Sequence, residues 1–248
     1  MSLRGISTLA ASSDPLIVID GIVGGSLNSV SPEDIESIDV LKDGSAAAIY
    51  GTRGTNGVII INTKAPKAGK ATLEYNGYVK VDQMIGLDDQ LNAQEYREYM
   101  NNPDFEGKGM NDFGATTDWV DAITRTPISH NHYLSLRGGQ KETNYVGSLT
   151  YADKQGIYSK SFHKSMAVKL ALNHSMFDDR LKLNLNISDK IVKNGDVPGE
   201  LYAQASMRNP TLPIYDKDGK YYETSNSQNP VCAHNEYTGI NNYNQLSM

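Results

Sequence analysis

The sequence has few of the residues that build disulfide-linked proteins or helical membrane proteins. Among its 248 residues are one cysteine, Cys232, one tryptophan and four phenylalanines. A single thiol excludes a disulfide framework or a cysteine-based metal site within the chain. No apolar run approaches the roughly 18 residues that a membrane-spanning helix needs, and mean hydropathy is -0.47. A helical membrane protein is therefore excluded, whereas a β-barrel is not, because barrel strands alternate apolar and polar residues.

The chain also lacks an excess of positive charge. Its formal net charge is -6 and its pI is about 5.4, so it offers no basic surface for nucleic acid or for an anionic membrane. Residues 1–5 do not begin a charged segment followed by an apolar one, so no secretion signal is recognised. This start predicts either a cytosolic protein or one whose true N-terminus lies elsewhere.

Residues 1–66 predict a small α/β unit. Ser31 followed by Pro32 favours a short helix start, and Asp43 is a predicted cap for a helix that ends at Tyr50. Gly51 then supplies the left-handed stop. Short apolar runs predict strands, two of them buried on both faces. The predicted strands are Pro15–Ile19, Ile38–Leu41 and Val58–Ile61.

Beyond residue 70 the apolar residues recur with a period of two, which predicts a meander of antiparallel strands. The predicted strands are Leu73–Val79, Tyr133–Arg137, Tyr145–Tyr151, Met166–Asn173 and Leu181–Ser188. The alternation alone fits either a half-solvated sheet in a soluble sandwich or a transmembrane barrel. Strand length favours the barrel, because alternation from Leu181 to Lys193 covers 13 residues and a tilted bilayer-spanning strand needs about 9–11.

Two further regions interrupt the strands. Leu91–Met100 is a predicted helix, with Asn92 as its cap and Glu95 completing a capping box. From Asn194 to the C-terminus the chain is polar and shows no sustained alternation. Such long polar segments suit the external loops of an outer-membrane barrel.

A search for catalytic or metal-binding chemistry finds little. The glycines from Gly51 to Gly57 follow a predicted helix and precede a predicted strand. A phosphate-binding loop has the opposite order, because it follows a strand and leads into a helix. Asp216–Gly219 favours a hairpin turn over a calcium loop, because the later Glu ligand is absent. His130 and His132 would share a strand face without a third ligand. We therefore predict no enzymatic activity, cofactor or metal site.

Trp119 is the one remaining candidate for a ligand platform. A packed or membrane-interface position is the more common environment for tryptophan, and we expect one of these here.

Three segments of the first 66 residues carry a specific similarity. Residues 15–21, 31–43 and 46–64 closely resemble the plug-domain signature of the SusC/RagA family, which are TonB-linked outer-membrane transporters of the Bacteroidetes. The similarity continues through residues 92–96, 117–119, 131–139 and 153–156. The plug-signature positions that we expect to be structurally important are Asp20, Gly21, Asp43, Tyr50, Gly51, Arg53, Gly54, Asn56 and Gly57.

The resemblance implies that residues 1–66 are the C-terminal part of a small α/β plug domain. Residues 67–248 would then be the first antiparallel β-strands and loops of an incomplete transmembrane β-barrel. The resemblance also implies import of oligosaccharides or peptides across the outer membrane, with a SusD-like surface lipoprotein as lid. Energy would come from the TonB complex, whose contact segment is not in this chain. Barrel residues such as Leu183 would face lipid, so Leu183→Arg should impair insertion.

The match is incomplete, because five predicted strands cannot close a barrel that takes about 22 in plugged transporters. We therefore expect the chain to be an internal piece of a transporter, insoluble or disordered beyond residue 70 when expressed alone. The alternative is a soluble antiparallel β module that binds glycans through its Tyr- and Asn-rich loops. An enzyme on this scaffold has no supporting residues.

Overall fold

The computed structural model describes residues 14–42, 48–85, 90–104, 111–225, 227–237 and 239–247 and contains two β-sheets. The first sheet has four strands in the order β2-β1-β4-β3. Its strands are β1 (Leu16–Ile19), β2 (Ile22–Val23), β3 (Ile35–Leu41) and β4 (Val58–Thr63). All three strands predicted in this region are present.

A parallel pair forms the centre of the first sheet. Strand β1 runs parallel to β4, with Leu16 opposite Val58, while β2 and β3 pair antiparallel on either side. Val18 and Val58 are buried at its core, as their continuous apolar runs predict. Asp20 and Gly21 join β1 to β2 with φ of 48° and 85°, the left-handed pair that a two-residue type I′ turn requires.

Of the two helices predicted in this region, the first is fully described and the second only from residue 48. Pro32–Asp34 forms one 3-10 turn, and the Ser31 side chain makes no cap hydrogen bond to it. Residues 48–50 are helical and Gly51 follows with φ of 61°, which confirms the predicted left-handed stop. The predicted cap, Asp43, lies outside the described residues.

The second sheet is a six-stranded antiparallel meander in chain order. Its strands are β5 (Gly69–Val81), β6 (Ile128–Gly139), β7 (Thr143–Gln155), β8 (Phe162–Met176), β9 (Leu181–Gly195) and β10 (Ile240–Ser247). Five were predicted, and each is longer than its alternating core. Strands β5 and β10 are its edges in the described chain, so this sheet is open.

The two faces of the second sheet differ as the alternation predicts. On β6, Ser129, Asn131, Tyr133 and Ser135 are buried, whereas the apolar Ile128, Leu134 and Leu136 on the other face are exposed. The buried positions face the first sheet, which lies against this inner face. The opposite, outer face is apolar and uncovered in the described chain, and its Leu170 is 56% exposed.

Three α-helices lie in the long connections: α1 (Ala93–Met100), α2 (Leu201–Ser206) and α3 (Pro230–Glu236). Helix α1 has the predicted capping box of Asn92 and Glu95. The connections between β5 and β6 and between β9 and β10 pack together through a buried cluster that includes Trp119, Ile123 and Leu201. We call their described residues, 82–85, 90–104, 111–127, 196–225, 227–237 and 239, the loop body. The expectation of an irregular chain from Asn194 onward was wrong, because this segment forms α2, α3 and β10 and shares a buried core with the first connection.

No helix in the described part of the chain is both long enough and apolar enough to cross a membrane.

Candidate functional site

The most distinctive feature of the molecule is the contact between its two sheets, which we call the seam. It brings residues of the N-terminal sheet unit against the inner face of the second sheet. Its members are Asp20, Glu33, Asp34, Thr63 and Lys64 on one side and Asn131, Tyr133, Lys169 and Asn186 on the other.

Asp20 connects the β1–β2 turn to both sheets. Its carboxylate accepts hydrogen bonds from the Thr63 backbone N–H at 2.8 Å and from the Thr63 hydroxyl at 2.6 Å. The amide of Asn186, on β9, donates to the same carboxylate at 3.2 Å. The left-handed turn at Asp20 and Gly21 directs this carboxylate toward the second sheet. Asp20, one of the plug-signature residues, therefore links the two sheets.

Lys169 is a buried cation at the centre of the seam. It lies on the inner face of β8 and is 5% exposed. Its ammonium donates to the Lys64 carbonyl at 3.0 Å and to the Thr63 hydroxyl, and Asp20 and Asp34 are near enough to act on its charge. Neutral acceptors and nearby carboxylates together offset the cost of burying this charge.

Tyr133 and Asn131 hold the 3-10 turn of the first unit against β6. The Tyr133 hydroxyl donates to Asp34 Oδ1 at 3.1 Å, and the Asn131 amide donates to Glu33 Oε1 at 2.7 Å. Lys64 Nζ lies 4.9 Å from the centre of the Tyr133 ring. Asp34 and Tyr133 are both buried, so these are interior contacts.

The hydrogen bonds that cross the seam join polar and charged groups. The two buried apolar clusters of the described chain lie within the first sheet unit and within the loop body, and neither crosses the seam. Each hydrogen bond adds about 0.5–1.5 kcal/mol, or about 1.5–3 when one partner is charged, because water competes for both groups. Such a contact holds two bodies in register yet allows them to separate into water.

The outer face of the second sheet has the dimensions of a lipid-facing band. The outer-face pairs from Met176 opposite Leu181 to Met166 opposite Ile191 extend ten residues along β8 and are apolar apart from His174 and Asp189. Ten residues span about 33 Å of strand, or about 25 Å of depth at a tilt of about 40°. The apolar band of outer-membrane barrels is about 25 Å tall. Polar residues follow beyond Ile191, where Lys193 pairs with Lys164.

An aromatic cluster marks one margin of this band. The Tyr75 hydroxyl lies 2.8 Å from His132 Nδ1, and the His130 ring is 5.2 Å from that of His132 and 5.8 Å from that of Tyr151. The two histidines share a strand face, as predicted. No group of three or more His, Cys, Asp or Glu side chains suited to a metal ion occurs in the described residues.

The remaining plug-signature residues lie around the loop before β4. Tyr50 packs against the Val18 and Val58 core. Gly54 and Gly57 are buried, and Gly57 has φ of 91°, a conformation that side chains with a Cβ disfavour. Arg53 is exposed and Asn56 is half-buried. Of the signature residues, Asp20 hydrogen-bonds to the second sheet, through the amide of Asn186.

Sequence reasoning missed the partners of Asp20 in the seam. Lys169 was assigned only a place in the alternation of β8, although a lysine in mid-strand between small inward residues is itself a signal. Asp34 was assigned to a helix start, whereas its carboxylate accepts from Tyr133. Asp34 and Tyr133 are separated by 99 residues in sequence, so no local pattern reveals their contact.

Trp119 is packed, one of the two environments expected for it. It is 3% exposed, its indole N–H donates to the Asn209 carbonyl at 3.0 Å, and the Arg208 guanidinium lies 4.8 Å from its ring centre. Burial lowers the pKa of Arg208. Its guanidinium donates hydrogen bonds to backbone carbonyls such as that of Tyr222, at 2.9 Å. Trp119 is therefore a core residue of the loop body.

Other polar groups of the loop body also have structural roles. Asp216 Oδ1 accepts from the backbone N–H groups of Asp218 and Lys220, which confirms the predicted turn. Arg97 donates to Asp112 at 2.9 Å and holds the pKa of that carboxyl below its usual value. Burial raises the pKa of the Cys232 thiol, the opposite of what activates a nucleophile.

Comparisons with known proteins agree with this architecture. The family model for the TonB-dependent receptor plug domain matches residues 1–58. The chain is 40% identical to the TonB-dependent receptor SusC of Bacteroides thetaiotaomicron over 97% of its own length and 25% of that protein's. A TonB-dependent receptor of Formosa agariphila is 34% identical over 88% of this chain and 22% of its own. The chain thus spans about a quarter of the length of these curated relatives.

Solved structures share the fold. The RagAB peptide importer in its "closed-closed" state superimposes with a TM-score of 0.72 at 24% identity, covering 94% of this chain and 32% of that chain. Its "open-open" state gives a TM-score of 0.73 at 23% identity, covering 100% and 34%. Both share the arrangement seen here, a plug unit against an antiparallel sheet. With a plug-domain match, 40% identity to SusC over 97% of this chain and this shared fold, the chain belongs to the SusC/RagA family of TonB-dependent receptors.

Proposed function

We propose that this chain supplies the plug and the first wall strands of an outer-membrane transporter for oligosaccharides or peptides. The observation that carries the proposal is the two-faced second sheet. Its inner face is polar and covered by the plug unit through hydrogen bonds, while its outer face presents an apolar band to its surroundings. A soluble glycan-binding module would leave this band in water, which favours aggregation.

The connections orient the wall. Short turns at residues 140–142 and 177–180 lie at one end of the second sheet, and the loop body lies at the other. Barrels of the outer membrane have short periplasmic turns and long extracellular loops. The loop body therefore faces outward, toward a SusD-like lipoprotein, and the short turns face the TonB complex.

The polar seam suits a plug that must move. We assign residues 1–66 to the plug and residues 67–248 to the wall. Asp20 and the neighbouring turn hold the plug to the wall in the resting state, and the glycines of the signature keep the plug compact. Force transmitted from TonB would exchange the seam's hydrogen bonds for hydrogen bonds to water, at a small net cost for each bond.

The test uses the gene in its producing organism, with whatever flanking sequence its reading frame supplies. The protein should fractionate with the outer membrane, and uptake of a fluorescently labelled oligosaccharide or peptide should stop when TonB is deleted. Recovery in the soluble fraction would contradict the proposal and favour the glycan-binding module. Deletion of a neighbouring SusD-like gene tests the lipoprotein partner separately.

A further inference from the structure

A cavity of about 490 Å³ lies between the plug and the inner face of the wall. The plug contributes residues of two of its 3-10 turns, Leu27–Ser29 and Pro32–Asp34. The wall contributes inward residues of all six strands, near the end that carries the loop body. We call it the upper cavity. Its volume lies in the range of small-molecule sites, about 300–1,000 Å³.

The upper cavity carries an excess of positive charge. Lys154 and Lys190 line it together with His163, and Glu33 is the one carboxylate among its described lining residues. Neither lysine forms an ion pair with a carboxylate of the described chain. Lys190 is repelled by Lys154 and attracted by Glu33, and Glu33 already accepts from Asn131. The two ammonium groups are therefore available to an anion that enters the cavity.

Unpartnered polar atoms in the lining also point to a ligand. The Thr150 hydroxyl is buried without a hydrogen-bond partner in the described chain, on a residue that is 5% exposed. Oε2 of Glu33 is in the same situation. Buried polar groups are nearly always hydrogen-bonded in native structures. Tyr78 and Tyr243 add two aromatic side chains with polar tips to the same lining.

We infer that the upper cavity binds an acidic oligosaccharide, with its anionic group held between Lys154 and Lys190. This inference rests on the proposed transport function and names the class of its substrate. Carboxylates of uronic acids and sulfate esters offer the same anionic oxygens to an ammonium group. Hydroxyls of the sugar match Thr150 and Asn131, and a sugar ring can lie against Tyr78 or Tyr243.

The wall disfavours a peptide as the occupant. At the cavity the backbone groups of β7, β8 and β9 are paired on both sides within the sheet. A peptide that binds as an added strand needs a free sheet edge, with pockets for its side chains. The groups that this part of the wall offers to a ligand are side-chain hydroxyls, amides and ammonium groups.

The main test compares two variants of the protein purified in detergent from its native reading frame. The double variant Lys154→Met and Lys190→Met removes both charges and keeps the aliphatic stems. The control is Lys193→Met, which removes an exposed lysine from the outer face of the same strand, opposite Lys164. Isothermal titration calorimetry measures Kd for trigalacturonate and for its carboxyl-reduced, neutral counterpart.

Trigalacturonate should bind the wild type more tightly than the neutral sugar does, and the double variant should lose about tenfold in affinity per lysine. The control should match the wild type. Equal affinity of wild type and double variant for trigalacturonate would overturn the inference, as would equal binding of the charged and neutral sugars. Preference for an acidic peptide over both oligosaccharides would overturn it as well.

A second variant keeps the inference testable if the double variant does not assemble. Glu33→Gln removes the negative charge that repels an anionic ligand and keeps the oxygen that accepts from Asn131, so it should tighten binding of trigalacturonate relative to that of the neutral sugar. Weaker or unchanged binding of trigalacturonate would count against the site. A sulfated galactan oligosaccharide, tested beside its desulfated form, distinguishes sulfate from carboxylate as the preferred anion.

Failure of this site can be told apart from failure of the transport function. A protein that reaches the outer membrane and imports a neutral oligosaccharide or a peptide, with no effect of the lysine substitutions, keeps its proposed function and loses the acidic-ligand site. A protein found only in the soluble fraction loses both.

Discussion

Replacing Leu170 with arginine should destabilise the assembled wall more than any neighbouring substitution on the same sheet. Leu170 lies on the outer face between Gly147 and Ile187, six residues from Met176 at the short-turn end. Six residues correspond to about 20 Å of strand and about 15 Å of depth at the usual tilt. This depth is the middle of the apolar band, where an arginine facing lipid costs about 2–4 kcal/mol.

Two further substitutions serve as controls for depth and face. Leu183 pairs with His174, only two residues from the end of the band, so Leu183→Arg should cost no more than about 1 kcal/mol because the side chain reaches the interface. Asn184 is the next residue on β9 and faces inward, opposite Asn173. Asn184→Arg should leave stability nearly unchanged.

The assay is equilibrium unfolding in urea of the protein folded into lipid vesicles, with loss of heat-modifiable migration as a second readout. The expected order of destabilisation is Leu170→Arg, then Leu183→Arg, then Asn184→Arg. Equal stabilities for the arginines at positions 170 and 184 would refute the lipid-facing assignment of the outer face.

Three further predictions concern the seam and the loop body. Tyr133→Phe leaves the buried Asp34 carboxylate without the hydroxyl that donates to it, which should lower stability by about 1–3 kcal/mol. Amide exchange in β4 should therefore become faster, and unchanged exchange would argue against the seam. Trp119→Ala should cost the loop body about 3–5 kcal/mol, measured by its resistance to proteolysis, and wild-type resistance would contradict the packed core. Because Arg97 depresses the pKa of Asp112, that ion pair should stabilise α1 above the unfolded carboxyl pKa of about 3.9 and be lost as pH falls through the lower folded value. Acid titration of α1 by amide exchange checks this, and Arg97→Met should abolish the pH dependence; if it persists, another group is responsible.

Much of the second sheet could be predicted because its strands are specified by residues that are neighbours in sequence. Most inward residues are polar or small and most outward ones are apolar, so strands β5 to β9 and the faces they present are visible in sequence. The capping box of Asn92 and Glu95 is equally local, since both hydrogen bonds form within one helical turn. The type I′ turn at Asp20 and Gly21 likewise depends on two adjacent residues.

Strand β10 could not be predicted in this way. Its sequence places Asn241, Asn242 and Asn244 on both faces, so no alternation appears. The register with β9 supplies the missing information, since Asn242 lies opposite Lys193 above the apolar band. Asn242 therefore lies beyond the apolar band, where the outer face of the sheet is polar as well.

The seam and the loop body escaped prediction because they depend on distant pairs. Trp119 donates to Asn209, 90 residues away, and Lys169 reaches Lys64 across 105 residues. Their residue types are unremarkable in isolation. Only the meander, which returns the chain repeatedly past the plug, brings them into contact.

The lipid contact of the outer face can be measured directly by quenching of tryptophan fluorescence with brominated lipid. Leu170→Trp and Asn184→Trp each add one fluorophore to the buried Trp119, and the protein is folded into vesicles whose acyl chains carry bromine near the bilayer centre. The added fluorescence at position 170 should be strongly quenched and that at position 184 should not. Equal quenching at the two positions, or quenching at neither, would contradict a wall with lipid on one side and the plug on the other.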